Sequence, residues 1–304
     1  MKRLDGIIIP TVTPFDEKGE LRLDYLERNY ERWNQTQIGG CMALGSNGEF
    51  RSLSDDESYD VIKTASEVIR DDKVFIVGVG RESLYQTLKF LERLVHDNIK
   101  TDYISVLTPH YFKGKMTDDA IISYYSQIAN ESPYPVLLYC APGFANNVCI
   151  SVEALMCLAE HPNIAGIKDT SSNMMKAYMK AVGGRDDFEV LSGSLGTIMS
   201  CFEDGGRGGI VSAANYFPNT CARLCQLVAE RKMEEARDYH AHVKTLAAQT
   251  GGSAGVSGVK AVMNLMGYEG GIPRNPVLPC TEQQIEEFVQ VIRANEKFIA
   301  NDLL

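Results

Sequence analysis

The stretch IAGIKDTS, residues 164–171, joins an apolar run to a polar segment through one lysine. Residues 164–167 have the continuous apolar composition of a strand that is buried on both faces, as in a parallel sheet. Lys168 stands at the end of that strand. Burial disfavours the charged ammonium, lowers the lysine pKa and makes the nucleophilic amine accessible. The stretch therefore predicts a buried parallel strand that ends in a lysine.

Seven similar runs accompany this one and alternate with helix-length amphipathic stretches. Eight strand–helix units over about 230 residues match the size of a (β/α)₈ barrel, the TIM barrel. The predicted strands are GIIIP (6–10), GGCMALG (39–45), KVFIVGVG (73–80), DYISVLTP (102–109), PVLLYCAP (135–142), IAGIKD (164–169), FEVLSG (188–193) and GGIVSAA (208–214).

The segment that follows the last predicted strand has a helical pattern. No linker rich in Pro, Gly or Ser separates it from the strands, so a separately mobile domain is not expected. We predict a barrel over residues 1–230 and a C-terminal helical appendix over residues 231–304 that packs on the barrel. The helices of the appendix are expected at 231–249, near 256–266 and at 281–299.

An open, doubly wound sheet is the structural alternative to a barrel. Such a sheet would carry a glycine-rich fingerprint directly after its first strand. The corresponding stretch here, GIIIPTVTPF at residues 6–15, has no such fingerprint. The barrel is therefore the predicted fold.

The composition excludes several classes of partner. The net charge of −10 supplies no basic footprint for a nucleic acid. No stretch approaches the roughly 20 apolar residues of a membrane helix, and the N-terminal apolar run, which stops at Pro10, is shorter than a signal peptide requires. We expect a small-molecule substrate, with no nucleic acid and no membrane as partner.

The cysteines and histidines predict a reduced, metal-free protein. The eight cysteines form no CxxC pair, and several lie inside apolar runs, which is typical of buried thiols in a cytoplasmic protein. The five histidines are scattered and HExxH is absent. We therefore expect no metal and no organic cofactor.

Polar residues lie at the carboxyl ends of five predicted strands, the end at which such barrels place their active sites. A desolvated lysine can attack a ketone to give a Schiff base, which accepts electrons from a breaking carbon–carbon bond. A tyrosine phenol can transfer the protons, and the amides of a small-residue loop before a helix can hold a carboxylate. The residues are Gly45–Glu49, Thr108–Tyr111, Tyr139, Lys168 and Ser192–Ser194.

Each of these residues also has a simpler interpretation. Lys168 by itself could be a solvated lysine at a strand end, and Tyr139 an interior tyrosine with a bonded hydroxyl. The GSNGE loop by itself could be an ordinary strand-to-helix turn, because Gly and Asn suit positive φ. His110 is interpreted as structural. Periodicity alone predicts an α/β barrel without a named reaction.

Six short motifs resemble those of the pyruvate-dependent class I aldolase family, which includes dihydrodipicolinate synthase and N-acetylneuraminate lyase. They occur in the same order and at the same spacing as in that family. The resemblance covers nearly the whole chain. The motifs are VTPF (12–15), GxxGE (45–49), TPxY (108–111), LYxxP (138–142), GxKD (166–169) and GS (193–194).

The resemblance implies a role for each matching residue. Lys168 would form the Schiff base and Tyr139 would be the acid/base group. Ser46 would link Tyr139 to Tyr111, which would reach in from a neighbouring subunit of a homotetramer built from two tight dimers. The amides around Ser46 and Asn47 would take the pyruvyl carboxylate. The substrate-binding residues implied in this way are Ser46, Asn47, Gly48, Ser194 and Ile210.

The motif details favour one member of the family. Dihydrodipicolinate synthases carry TTGE in place of Ser46–Glu49, and an arginine shortly after LYNVP that holds the carboxylate of the second substrate. Here Pro142 is followed by GFANN (143–147), and an aromatic ring cannot replace a guanidinium fork. GSNGEF, TPHYFKGKM and HPNIAGIKD look most like 4-hydroxy-2-oxoglutarate aldolase, which releases pyruvate and glyoxylate. Dihydrodipicolinate synthase, sugar-acid aldolases and N-acetylneuraminate lyase are the alternatives.

Two interpretations from other classes stay open at this point. A metal-dependent aldolase on the same barrel would need a His/Asp/Glu cluster at the strand ends, which the sequence does not present. A non-catalytic sensor could use the same pocket to bind a keto acid, and it would not require Lys168.

Overall fold

In the computed structural model, which describes residues 2–171 and 173–303, eight parallel strands pair in chain order into a closed barrel. Each strand lies within one of the predicted runs, so the TIM-barrel prediction is confirmed. The strands are β1 (Gly6–Pro10), β2 (Gly40–Ala43), β3 (Val74–Gly78), β4 (Tyr103–Leu107), β5 (Val136–Cys140), β6 (Ile164–Asp169), β7 (Glu189–Ser192) and β8 (Gly208–Ile210).

Helices follow the strands, and three more come after the barrel where the pattern predicted them. A capping box precedes the helix that begins at Asp55. Ser54 Oγ accepts from the Glu57 amide, and the Glu57 carboxylate accepts from the Ser54 amide. The helices are α1 (Leu23–Trp33), α2 (Asp55–Val68), α3 (Leu84–His96), α4 (Asp118–Glu131), α5 (Val152–Leu158), α6 (Met175–Val182), α7 (Ile198–Glu203), α8 (Pro218–Ala229), α9 (Met233–Ala248), α10 (Gly255–Leu265) and α11 (Glu282–Ala294).

Strand register determines which side chains share a level. Leu107, Tyr139, Lys168 and Leu191 are successive partners across β4 to β7, so their side chains leave the sheet on the same face. Two residues before the lysine, a Cβ on Gly166 would lie 2.3 Å from the carbonyl oxygen of β7 that faces it. The glycine of the GxKD motif is therefore required by the close approach of the two strands.

The chain forms two compact units. One consists of the N-terminal residues up to Asp5 together with Val74–Ile210, and it contains β3 to β8. The other consists of Gly6–Lys73 and the chain from Val211 onward, and it contains β1, β2 and the C-terminal helices. The predicted boundary between barrel and appendix at residue 230 stays a prediction. None of the helices in the described chain has the length and apolarity needed to cross a membrane.

Within the second unit, the segment before α11 is bonded to the residues that follow β1. The Ile272 amide donates to the Phe15 carbonyl over 3.0 Å. Gly271 permits this approach, because its φ is 63° and a Cβ there would lie 2.4 Å from the Phe15 carbonyl oxygen. The C-terminal part of the chain therefore reaches the strand-end loops of its own unit.

Candidate active site

Lys168 and Tyr139 lie side by side on neighbouring strands. They are register partners in the parallel pair β5–β6, and Lys168 Nζ lies 4.1 Å from the centroid of the Tyr139 ring. Each residue is 3% exposed. The structure thus brings together the two residues that the sequence predicted as nucleophile and acid/base group.

Burial changes the chemistry of Lys168. Desolvation of the ammonium lowers the lysine pKa from 10.5 to about 7. A large share of the amine is therefore neutral, and so nucleophilic, near neutral pH. The interpretation of Lys168 as a solvated lysine is wrong, because such a lysine would be exposed and would keep an ordinary pKa.

Asp169 holds the end of β6 from the opposite face of the strand. Its fully buried carboxylate accepts from the Ser171 amide (3.0 Å) and the Ser171 hydroxyl (2.8 Å). Ser171 Oγ in turn accepts from the Met174 amide, next to the start of α6. Burial raises the pKa of Asp169 to about 6, against the opposing effect of these hydrogen bonds. Asp169 is part of the GxKD motif, but the resemblance implies no role for it; its position after the lysine was the available signal.

The loop after β7 carries Ser194, one of the residues implied to bind substrate. The Gly193 amide donates to the Asp169 carbonyl over 2.6 Å, and a Cβ on Gly193 would collide with the Thr170 side chain. Ser194 is half-buried and its Oγ accepts from the Gly196 amide. Ile210, the last residue of β8, is buried. Both residues therefore lie at or just after the carboxyl ends of their own strands.

Tyr111 lies in the loop after β4 and is 75% exposed in the single chain. Its ring packs edge-on against Phe112, with centroids 5.0 Å apart. Glu82 holds the loop, because its Oε2 accepts from the amides of His110 and Tyr111, both over 2.9 Å. His110 Nδ1 lies 3.2 Å from Glu82 Oε1, in line with its interpretation as structural. Glu82 was missed, since nothing in its own sequence neighbourhood indicates this contact.

The GSNGE loop after β2 is a 3₁₀ turn over Ser46–Gly48. The Thr13 hydroxyl donates to the Gly48 carbonyl over 2.7 Å. Asn47 Nδ2 is buried, and no acceptor within the described residues bonds to it. A buried donor without a partner is costly, so its position suits an acceptor on a ligand.

The loop differs from the sequence-based interpretation in one respect. A second 3₁₀ turn, Phe50–Ser52, separates it from α2, which begins at Asp55. The loop therefore does not enter a helix directly. Any anion that it binds would depend on local amides and Asn47, and not on the dipole of α2.

The loop after β5 contains the GFANN segment, residues 143–147, which has no arginine. Asn146 and Asn147 have φ of 49° and 60°, in the left-handed region that asparagine tolerates best after glycine. The Asn147 amide donates to the Pro142 carbonyl over 2.9 Å, and Phe144 is 63% exposed. This loop therefore presents a tight turn and an exposed aromatic ring, with no guanidinium among residues 143–147.

Neither a metal-binding cluster nor a disulfide is present in the part of the chain that the structure describes. Across residues 2–171 and 173–303, no three His, Cys, Asp or Glu side chains are grouped so that they could hold a metal ion. All eight cysteines are free thiols.

Known proteins resemble this chain over nearly its whole length. A probable mitochondrial 4-hydroxy-2-oxoglutarate aldolase of Emericella nidulans is 28% identical, covering 93% of this chain and 91% of its own. A 4-hydroxy-tetrahydrodipicolinate synthase of Oenococcus oeni is 27% identical, covering 95% and 97%. The structure of dihydrodipicolinate synthase from Acinetobacter baumannii, complexed with pyruvate, superimposes with a TM-score of 0.86 at 26% identity, covering 98% and 99%.

The barrel and these relatives define an enzyme, a carbon–carbon lyase of the aldolase class. The profile of the Dihydrodipicolinate synthetase family matches residues 3–295. The chain belongs to that family and is a class I pyruvate aldolase within it.

Proposed function

We propose that this enzyme cleaves 4-hydroxy-2-oxoglutarate to pyruvate and glyoxylate through a Schiff base on Lys168. The observation that carries the covalent chemistry is the fully buried lysine, with a pKa of about 7, against the Tyr139 ring. A desolvated amine beside a phenol is suited to attack a ketone and to exchange protons with the adduct.

The proposed reaction begins with the neutral Lys168 amine, which attacks the C2 ketone; loss of water gives an iminium. Tyr139 takes the proton of the 4-hydroxyl while the C3–C4 bond breaks, and the electron pair of that bond flows into the iminium. Glyoxylate leaves and an enamine remains on the lysine. Protonation at C3 restores the iminium, and hydrolysis with one water releases pyruvate and the free amine.

The roles of the other residues in the proposal rest on the resemblance and on the loop after β2. The pyruvyl carboxylate would bind the amides around Ser46 and Asn47. Asn47 Nδ2 supports this assignment, because it has no acceptor among the residues that the structure describes. The substrate would also contact Gly48, Ser194 and Ile210. Ser46 would link Tyr139 to Tyr111 of a neighbouring subunit in a homotetramer, and the exposure of Tyr111 in the single chain agrees with that role.

The choice of substrate rests on the stretches GSNGEF, TPHYFKGKM and HPNIAGIKD, which look most like 4-hydroxy-2-oxoglutarate aldolase. The resemblance also gives dihydrodipicolinate synthases an arginine after LYNVP, and residues 143–147 contain none. Dihydrodipicolinate synthesis is the alternative activity, as are sugar-acid cleavage and N-acetylneuraminate cleavage, which share the pyruvyl half. A screen of aldehydes with pyruvate separates them, and we expect glyoxylate to give the highest kcat/KM.

We further propose that the enzyme works in the cytoplasm without a metal or organic cofactor. The free thiols support a reducing compartment. Activity should be unchanged after exhaustive treatment with EDTA. A loss that Zn²⁺ or Mg²⁺ restores would point to the metal-dependent mechanism.

The decisive experiment is reductive trapping. The protein is incubated with pyruvate and borohydride, digested, and the modified peptide identified by mass spectrometry. We expect a reduced pyruvyl adduct on Lys168 and none in Lys168→Ala. A folded wild-type protein without an adduct, or near-normal turnover by Lys168→Ala, would rule out the Schiff-base mechanism.

A further inference from the structure

A second buried lysine pairs with the last residue of the GSNGE loop. Lys260 of α10 is 1% exposed, and its Nζ lies 2.5 Å from Glu49 Oε1. The same ammonium donates to the Ile272 carbonyl over 2.8 Å and lies 4.5 Å from the centroid of the Phe15 ring. A buried ion pair is weak evidence for stability, because desolvation of two charges offsets their attraction. The Lys260–Glu49 pair is therefore better explained by a role in positioning the loop than by a contribution to stability.

Glu49 connects this pair to the backbone of the loop. Its φ of 49° and ψ of 35° place it in the left-handed region, which glutamate adopts at a cost. Its amide donates to the Ser46 carbonyl over 3.1 Å, closing the turn that contains Asn47. A change in the position of the Glu49 side chain would therefore move the amides of that turn.

Arg274 holds the other carboxylate oxygen. Its backbone amide donates to Glu49 Oε2 over 2.9 Å. Its guanidinium is fixed in turn by the Ser52 carbonyl at 2.6 Å and by the Glu57 carboxylate at 2.6 Å. Residues of the C-terminal segment thus contact both carboxylate oxygens of Glu49. The same segment is hydrogen-bonded to the region after β2 through Arg274.

We propose that Lys260 and Glu49 are positioning residues, which hold the Ser46–Gly48 turn in the geometry that binds the substrate carboxylate. This inference rests on the proposed function, in which that turn receives the pyruvyl carboxylate. It assigns a functional role to the C-terminal helices, because α10 supplies the cation.

The test removes the pair without leaving a lone buried charge. Glu49→Gln with Lys260→Met replaces both charged groups by neutral ones of similar size, which is often tolerated even where single changes unfold a protein. Lys260→Met alone, which leaves the Glu49 carboxylate without its ammonium partner, is the second variant. The control is Lys73→Met, which removes another buried lysine of the same unit, whose Nζ bonds the Thr36 and Ile38 carbonyls.

The readout is the pyruvate concentration that gives half-maximal borohydride trapping, together with the maximal fraction trapped. A displaced loop weakens ground-state binding, so we expect this concentration and KM to rise by roughly 10- to 100-fold, since small misplacements reach that size. Maximal trapping and kcat should change by less than about threefold. The control should keep the wild-type half-saturation concentration.

The outcomes separate the two proposals. Wild-type protein that traps no pyruvate contradicts the proposed function itself. If the wild type is trapped and a folded variant shows unchanged half-saturation, the function stands and the positioning role is overturned. If kcat and maximal trapping fall while half-saturation stays constant, the pair acts elsewhere and the inference is equally overturned.

Discussion

Lys168→Met should abolish the covalent reaction and stabilise the fold. The native chain holds this amine in a fully buried site, where burial lowers its pKa from 10.5 to about 7. The unfolded chain returns the lysine to water and to its ordinary pKa. Folding at neutral pH therefore costs free energy that a methionine of similar shape would not cost.

The magnitude follows from the gap between the two pKa values. At about 1.4 kcal/mol per pKa unit, that gap corresponds to at most about 5 kcal/mol. We expect about 2–4 kcal/mol at pH 7, because neighbouring side chains relax around the lysine. Between pH 7 and 10.5 the unfolded state binds more protons than the native state, so wild-type stability rises with pH there. The advantage of the variant is therefore greatest at pH 7 and below and shrinks toward pH 10.

The assay is urea unfolding of the wild type and the variant at pH 7 and at pH 9.5, followed by circular dichroism. Lys73→Met is the control; it should destabilise the protein, because it leaves the Thr36 and Ile38 carbonyls without their donor. The reasoning is refuted if Lys168→Met is less stable than the wild type at pH 7, or if its advantage is the same at both pH values.

Three further predictions concern rate, pH and packing. Tyr139→Phe should lower kcat by roughly two to four orders of magnitude with the fold intact. The control Tyr134→Phe removes a hydroxyl that donates to the Ile99 carbonyl, and it should keep the wild-type kcat. Equal effects of the two variants on kcat would contradict the acid/base role of Tyr139. The profile of kcat/KM should rise with pH through about 7, as Lys168 loses its proton, and a flat profile from pH 5.5 to 8 would contradict this. Gly166→Ala should lower the free energy of unfolding by about 1–3 kcal/mol or more, since its Cβ would meet the β7 backbone, while Gly114→Ala, with open space around it, should change it little in the same urea assay.

The fold was predictable because its signals are local. Each strand of the barrel coincides with a continuous apolar run, and the capping box at Ser54 marks the start of α2 where the structure has it. The three C-terminal helices also follow from the pattern within their own segments. These features depend on neighbours a few residues away, which a sequence displays directly.

The candidate site was predictable only in part. Its residue types and their places at strand ends are visible in the sequence, so Lys168 and Tyr139 could be named as candidates. The hydrogen bonds of Glu82 to the loop after β4 could not be predicted, because the residues that donate them lie 28 and 29 positions away in the chain. The Glu49–Lys260 pair was missed for the same reason, since its two residues are far apart in the chain.

The amino-acid pattern was enough to predict an eight-stranded α/β barrel with a lysine and a tyrosine at neighbouring strand ends, because strand periodicity and strand order follow from local pattern. Tertiary packing was needed to establish that Lys168 is buried and not a solvated lysine. Its pKa depends on how much water the surrounding strands exclude, and that is a property of the packed barrel and not of the residues beside it.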